Sequence, residues 1–264
     1  MTKPFEAAEI KIERAKDHLQ ALQEEIESFF RRGGAYVAFE IAAEYPRNIV
    51  GAMGCFTYRE SEPIPTQWSA IIGDILHNLR ASLDLVACDL HRLSNGNVND
   101  LARVQYPFCK LETDLPDKMR ERRLGNIDNR FKSIIEQTKP YKGGNPGLRA
   151  IHDLNIMDKH QTIIPTIAVV TIDWPIAMPN GPAQFTTGAA KNGQQLMVFQ
   201  QMFCQLPIGS RIKADFSVIF RDVAVFHGAD VVKQLRACLE SINFIVGLFK
   251  DAAGDKPLPS VGGP

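Results

Sequence analysis

"RIKADFSVIF", residues 211–220, sets Ile212, Ala214, Phe216, Val218 and Phe220 at every second position. That period belongs to a strand with one buried face. Two neighbouring stretches agree with it. "TIIPTIAVVTID" (162–173) is a β-branched run, and "QLMVFQQMFCQL" (195–206) reads as a further strand. On either side the period changes. Up to residue 160 most apolar positions recur at helical spacing, and residues 229–250 return to it through Val231, Leu235, Leu239, Ile242, Val246 and Phe249. Helices, then strands, then a closing helix define an α+β chain, not an alternating βαβ one.

Outward from that stretch, residues 1–160 are expected to be mainly helical. Residues 5–30 form a helix stopped by Arg31-Arg32-Gly33-Gly34. Residues 35–59 hold two apolar runs separated by Pro46-Arg47-Asn48, the pattern of an inserted strand pair. Thr66 is placed to cap a helix running to about residue 93. One charged helix is expected over 114–137, weakened near Gly125, and another over 146–160, with Pro146 in its first turn. Residues 161–250 are expected to form a C-terminal antiparallel sheet closed by the last helix, packed as one unit with the first part. Residues 251–264 have the composition of a disordered tail.

Composition narrows the function classes. The chain has 264 residues, enough for one large domain or two small ones. Lys+Arg and Asp+Glu number 30 each, so no overall field draws the protein to nucleic acid, which stays open only as a local patch. Five scattered cysteines without a CxxC point to reduced thiols in a cytoplasmic protein. The N-terminus lacks an apolar signal core, and no stretch approaches ~18 uncharged apolar residues, so no membrane association is expected. No P-loop, GxGxxG or serine-nucleophile elbow is present, and no cofactor is expected.

The chemistry concentrates in "IIGDILHNLRASLDLVACDLH", residues 71–91. At 100° per residue Ile72, Ile75, Leu76, Leu79, Leu83, Val86 and Leu90 share one broad core face. Gly73, His77, Arg80, Asp84, Cys88 and His91 line one edge beside it. Arg80 and Asp84 are four apart and can touch, and Gly73 leaves room for another backbone. In "LRAIHDLNIMDKHQ" (148–161), Leu148, Ile151 and Leu154 form an apolar stripe that Asp158 follows one turn on. A carboxylate near a buried face needs a cationic or hydrogen-bonding partner. Asp158 is therefore expected to reach the Arg80 edge, with Lys159 and His160 joining it. The plainer alternative is two solvated surfaces, one with an Arg–Asp pair worth a few tenths of a kcal/mol.

These same segments resemble a group of uncharacterised bacterial and phage-associated proteins. "IPTQWSAIIGDILHNLRASLD", "TKPY" and "LRAIHDLNIMDKHQ" are similar to that group's "IGD.LHNLRS.LDH" helix, "QPY" loop and "DKHR" helix. A more distant resemblance is to HEPN domains, helical proteins that include dimeric, metal-independent ribonucleases with an Arg-x4–6-His motif. It implies a HEPN-like bundle and a homodimer. At the motif's histidine position this chain has Leu85.

Two functions follow as expectations. In the first, His77, Arg80, Asp84, Asp158, Lys159 and His160 form a polar network that fixes helix packing or a self-association surface. In the second, a HEPN-like ribonuclease uses Arg80 or Lys159 to hold phosphate and His77 or His160 to move protons. A metal is not expected. His77 and His91 are about 21 Å apart along a helix, at ~1.5 Å per residue, too far for one ion.

Overall fold

The computed structural model describes residues 3–42, 53–160, 163–173, 188–200, 206–221, 223 and 226–254. The chain is mixed α+β, with antiparallel sheets. It divides into two compact units made of interleaved segments. One unit takes residues 1–20, 69–163 and 233–264; the other takes 21–68 and 164–232.

The first unit is helical. It holds the start of α1 (Glu6–Arg31), nearly all of α2 (Gln67–Leu93), α3 (Leu115–Glu121), α4 (Asn129–Thr138), α5 (Pro146–His160) and most of α6 (Val231–Gly254). The seven apolar positions of the α2 core face are all fully buried. Each such side chain contributes about 1.5–3 kcal/mol of apolar burial, which makes α2 the spine of this unit. Leu148, Ile151 and Leu154 of α5 are buried as their stripe predicts, and so are Leu235, Ile242 and Phe249 of α6. The N-terminus of α1 is tied down by Phe5, whose N–H donates to Asp89 Oδ2 at 2.7 Å.

The charged stretch 114–137 is two helices, not one. α3 ends at Glu121, and the Leu124 N–H closes back on the Met119 carbonyl at 2.8 Å. Arg123 takes a left-handed φ of +60°, which no continuous helix can contain. Asp128 then starts α4 by accepting from the Arg130 N–H at 3.0 Å. A capping aspartate outweighs the helical spacing here, because it satisfies a first-turn donor that an uninterrupted helix would not expose. The turn after α2 also contains a short 3-10 helix, Val98–Arg103.

The second unit carries both sheets. β1 (Ala35–Ile41) and β2 (Met53–Glu60) pair antiparallel as expected, but they are not a separate hairpin. β4 (Gln195–Gln200) adds beside β2, and β5 (Arg211–Ile212) beside β1, giving the order β4-β2-β1-β5. A second sheet pairs β3 (Pro165–Ile172) with β6 (Ala214–Phe220). "RIKADFSVIF" is therefore two strands. Arg211–Ile212 pair with β1 and Ala214–Phe220 with β3, and the chain changes sheet at Lys213. Alternation records which face a residue shows; it does not record which strand lies alongside.

Aromatic packing fills this unit. Phe39, Phe56 and Phe199 meet across β1, β2 and β4, with centroids 4.9–6.4 Å apart. Gly54 makes room for them, since a Cβ there would lie 2.5 Å from the Phe39 ring. Phe30 stacks on Phe216 at 5.3 Å, and Phe29 meets the buried Trp68 edge-on.

α6 continues through Asp251–Gly254, so the first four residues of the expected tail are helical. Arg130 donates to the Ala252 carbonyl there. Residues 255–264 lie outside the described residues. Among the described residues no helix is long and apolar enough to cross a membrane.

Candidate functional site

The polar edge of α2 divides into three places. At its centre, Arg80 Nη1 lies 2.5 Å from Asp84 Oδ1, the i,i+4 contact that the spacing predicts. The approach is close but lacks the alignment of a hydrogen bond, and Nη1 has no other acceptor among the described residues. Asp84 Oδ1 also accepts the Tyr106 N–H at 2.8 Å, so one carboxylate oxygen holds both a helix cation and a loop backbone. Arg80 is only 8 % exposed. Its guanidinium lies over the Phe108 ring at 4.7 Å.

Phe108 also meets α5. The His152 imidazole stacks on Phe108 with centroids 4.4 Å apart and planes 10° from parallel. Its Nδ1 is buried with no hydrogen-bond partner among the described residues. Burial first, then the nearby Arg80 and Arg149 charges, lower the His152 pKa to about 4. Arg149 itself grips Asp153 with both arms, at 3.0 and 2.6 Å, and donates to the Cys109 carbonyl. Tyr106 is buried, and its hydroxyl meets Thr138 Oγ1 at 2.7 Å. Burial pushes that phenol up, out of proton-transfer chemistry near neutral pH.

Two turns earlier, Asp158 of α5 reaches α2 at Gly73, not at Arg80. A Cβ on Gly73 would fall 2.5 Å from the Asp158 carboxylate. The room left by the glycine is thus filled by a side chain and not by a second backbone. Asp74 and His77 are exposed beside it. Burial and the Asp74 charge raise the Asp158 pKa, while His77 works in the opposite direction. Asn78 is buried here, donating to the Asp74 carbonyl and accepting from Lys11 Nζ at 3.1 Å. Among the described residues no hydrogen bond or ion pair links His77 or Asp158 directly to Arg80 or Asp84. Lys159 and His160 close α5, and their side chains lie outside the described residues.

At the C-terminal end of α2, His91 is buried between two backbone carbonyls. Nδ1 is 2.9 Å from the Arg123 carbonyl oxygen and Nε2 is 3.1 Å from that of Asn97. Both ring nitrogens are engaged, so pairing His91 with Cys88 for an ion would break a contact that holds the chain. Burial also pushes the Cys88 thiol up, away from thiolate.

Sequence reasoning thus places Arg80 and Asp84 together correctly and puts His152 on the polar edge of its helix, but misses Tyr106 and Phe108, the ring that His152 meets. "YPF" (106–108), an aromatic pair around a proline in an otherwise irregular segment, is the signal that could have marked them. No family model matches this chain, and no curated protein or solved structure matches it either.

Proposed function

We propose that the Arg80 cluster is a structural fastener and that the protein works as a non-enzymatic helical module. A single observation carries this reading: a nearly fully buried guanidinium occupied by Asp84 on one side and Phe108 on the other. A phosphate-binding arginine needs a free planar edge that a substrate can reach. Here the guanidinium is buried against the Phe108 ring, which joins α2 to the 104–109 segment, and Phe108 passes the contact on to α5. A salt bridge is costly to bury unless its geometry is fixed, which is how such a pair specifies one packing over others.

Self-association is the second part of the proposal. Phe244 on α6 and Ile10 on α1 are 67 % and 64 % exposed, apolar surface that a second copy can cover. Light scattering after size exclusion tests it. A dimer that Phe244→Lys converts to monomer supports the reading, and a wild-type monomer removes it.

The HEPN-like ribonuclease is the competing reading, and the exposed His77 is what favours it. Against it, Asp74 and Asp158 surround that imidazole with negative charge, which repels a phosphodiester. The deciding experiment pairs two readouts. RNA cleavage by the wild-type chain that is lost in His77→Ala, with folding intact, would overturn the structural proposal. No cleavage, together with a marked drop in melting temperature for Arg80→Ala, supports it. A reducing, cytosolic setting is proposed alongside, since the four described cysteines are all unpaired.

A further inference from the structure

Beyond the α2 fastener, a cleft of about 440 Å³ opens between the C-terminal end of α2 and the α3–α4 connection. We infer that this cleft is a binding site for a small oxyanion, either a phosphate ester or a carboxylate. Its volume lies in the range of small-molecule sites. Its lining decides the ligand's character. Ile127 is its one large apolar side chain, whereas Arg120, Arg123, Asp100, Asn97 and Asn126 bring charge and hydrogen-bonding groups. The lining carries two cations and one anion, and Asp117 beside Arg120 is the further anion that an entering ligand must displace.

The cations are available. Arg123 Nε stands 3.5 Å from Asp100 Oδ1, a loose pair that an entering anion can replace. Arg120 pairs with Asp117 in open solvent, with 72 % of its side chain exposed, where such contacts are weak. The arginine fork matches the paired oxygens of either a carboxylate or a phosphate.

The walls are preorganised. The buried His91 sits beneath them, with one ring nitrogen on the Arg123 carbonyl and the other on that of Asn97. It therefore ties the α3–α4 connection to the turn after α2. Of the four described non-glycine residues with positive φ, two line the cleft: Asn95 at +57° and Arg123 at +60°. Each ends a helix, with the Gly96 N–H closing on the His91 carbonyl after α2 and the Leu124 N–H on the Met119 carbonyl after α3. Where a glycine would be easier, the second of these turns carries a guanidinium.

The test is an NMR titration of the full chain with inorganic phosphate and, separately, succinate, with ionic strength held constant by sodium chloride. Saturable shifts at the Asn97, Arg123 and Asn126 amides are expected below about 20 mM ligand. The tighter of the two probes tells phosphate from carboxylate. Arg123→Gly keeps the left-handed turn and removes only the charged arm. It should weaken binding about tenfold, and Arg120→Ala/Arg123→Gly should abolish it. If Arg123→Gly fails to fold, the exposed Arg120→Ala carries the same comparison. Linear, unsaturated shifts with both probes, or saturable binding unchanged in the arginine variants, would overturn the assignment.

Discussion

His152 lies flat on Phe108, 4.4 Å between ring centroids, and holds its Nδ1 away from any described partner. Burial and the nearby Arg80 and Arg149 charges favour the neutral ring. The folded imidazole titrates at about 4, against 6.5 for the free side chain. Between those values the unfolded chain binds the extra proton, so stability falls as the pH drops from about 6.5 to 4 and is fully present above that window. The loss is at most about 3 kcal/mol, reduced by the solvent that screens the part-exposed ring. His152→Phe keeps the stack and removes the titration. Urea denaturation at stepped pH should show a flatter profile for this variant between pH 6.5 and 4. An unchanged slope would place the acid sensitivity elsewhere.

Arg80→Ala leaves Asp84 without its cation and Phe108 without a covering plane. A loss of about 3 kcal/mol is expected, towards the low end for a broken buried pair because Asp84 is partly solvated. Arg80→Lys should recover little of it, since an ammonium cannot lie flat on the ring. Equal stabilities of Arg80→Lys and wild type in chemical denaturation would show that charge alone matters here.

Asp158 gives the opposite sign. Its raised pKa means that the folded chain holds the ionised carboxylate at a cost above that pKa. Asp158→Asn should therefore raise the melting temperature at pH 7. The gain should shrink as the pH falls through the carboxylate range and the wild-type group takes up its proton. A lower melting temperature at pH 7 would instead make the charge a required one.

His91→Ala removes the ring that lies between the Arg123 and Asn97 carbonyls, one of which takes its N–H. A destabilisation of about 2 kcal/mol is expected for buried acceptors left unpaired. Gly96→Ala should act in the same direction, because a Cβ there falls 2.3 Å from His91 Nε2. Hydrogen exchange at residues 95–97 and 123–127 should speed up in both variants while the middle of α2 stays protected.

Local signals were legible in the sequence, and long-range partners were not. The α2 core face, the bounds of α5 and the Arg80–Asp84 contact depend on residues three or four apart, where helix geometry dictates the neighbours. The break between α3 and α4 showed only as a weakening near Gly125, because Asp128 looked like one more charged residue until its cap was visible. The Phe108–His152 stack joins residues 44 positions apart, as 152 less 108 gives, and no periodicity encodes such a meeting. Asp158 was rightly placed near the buried side of α5, yet it met Gly73 rather than Arg80 because helix packing offsets the two faces by about two turns.

Neither compact unit is a continuous piece of chain. The helical unit draws on residues before 21, from 69 to 163 and after 232, with sheet-forming segments made in between. During synthesis its core must wait for α6, whose Leu235, Ile242 and Phe249 come from the last segment translated into it. Until then Phe131 of α4 lacks Phe249, the ring it packs against, and the nascent chain is exposed to chaperones and to misassembly. A truncation that removes α6 should for the same reason fail in the helices while sparing the sequence of every strand.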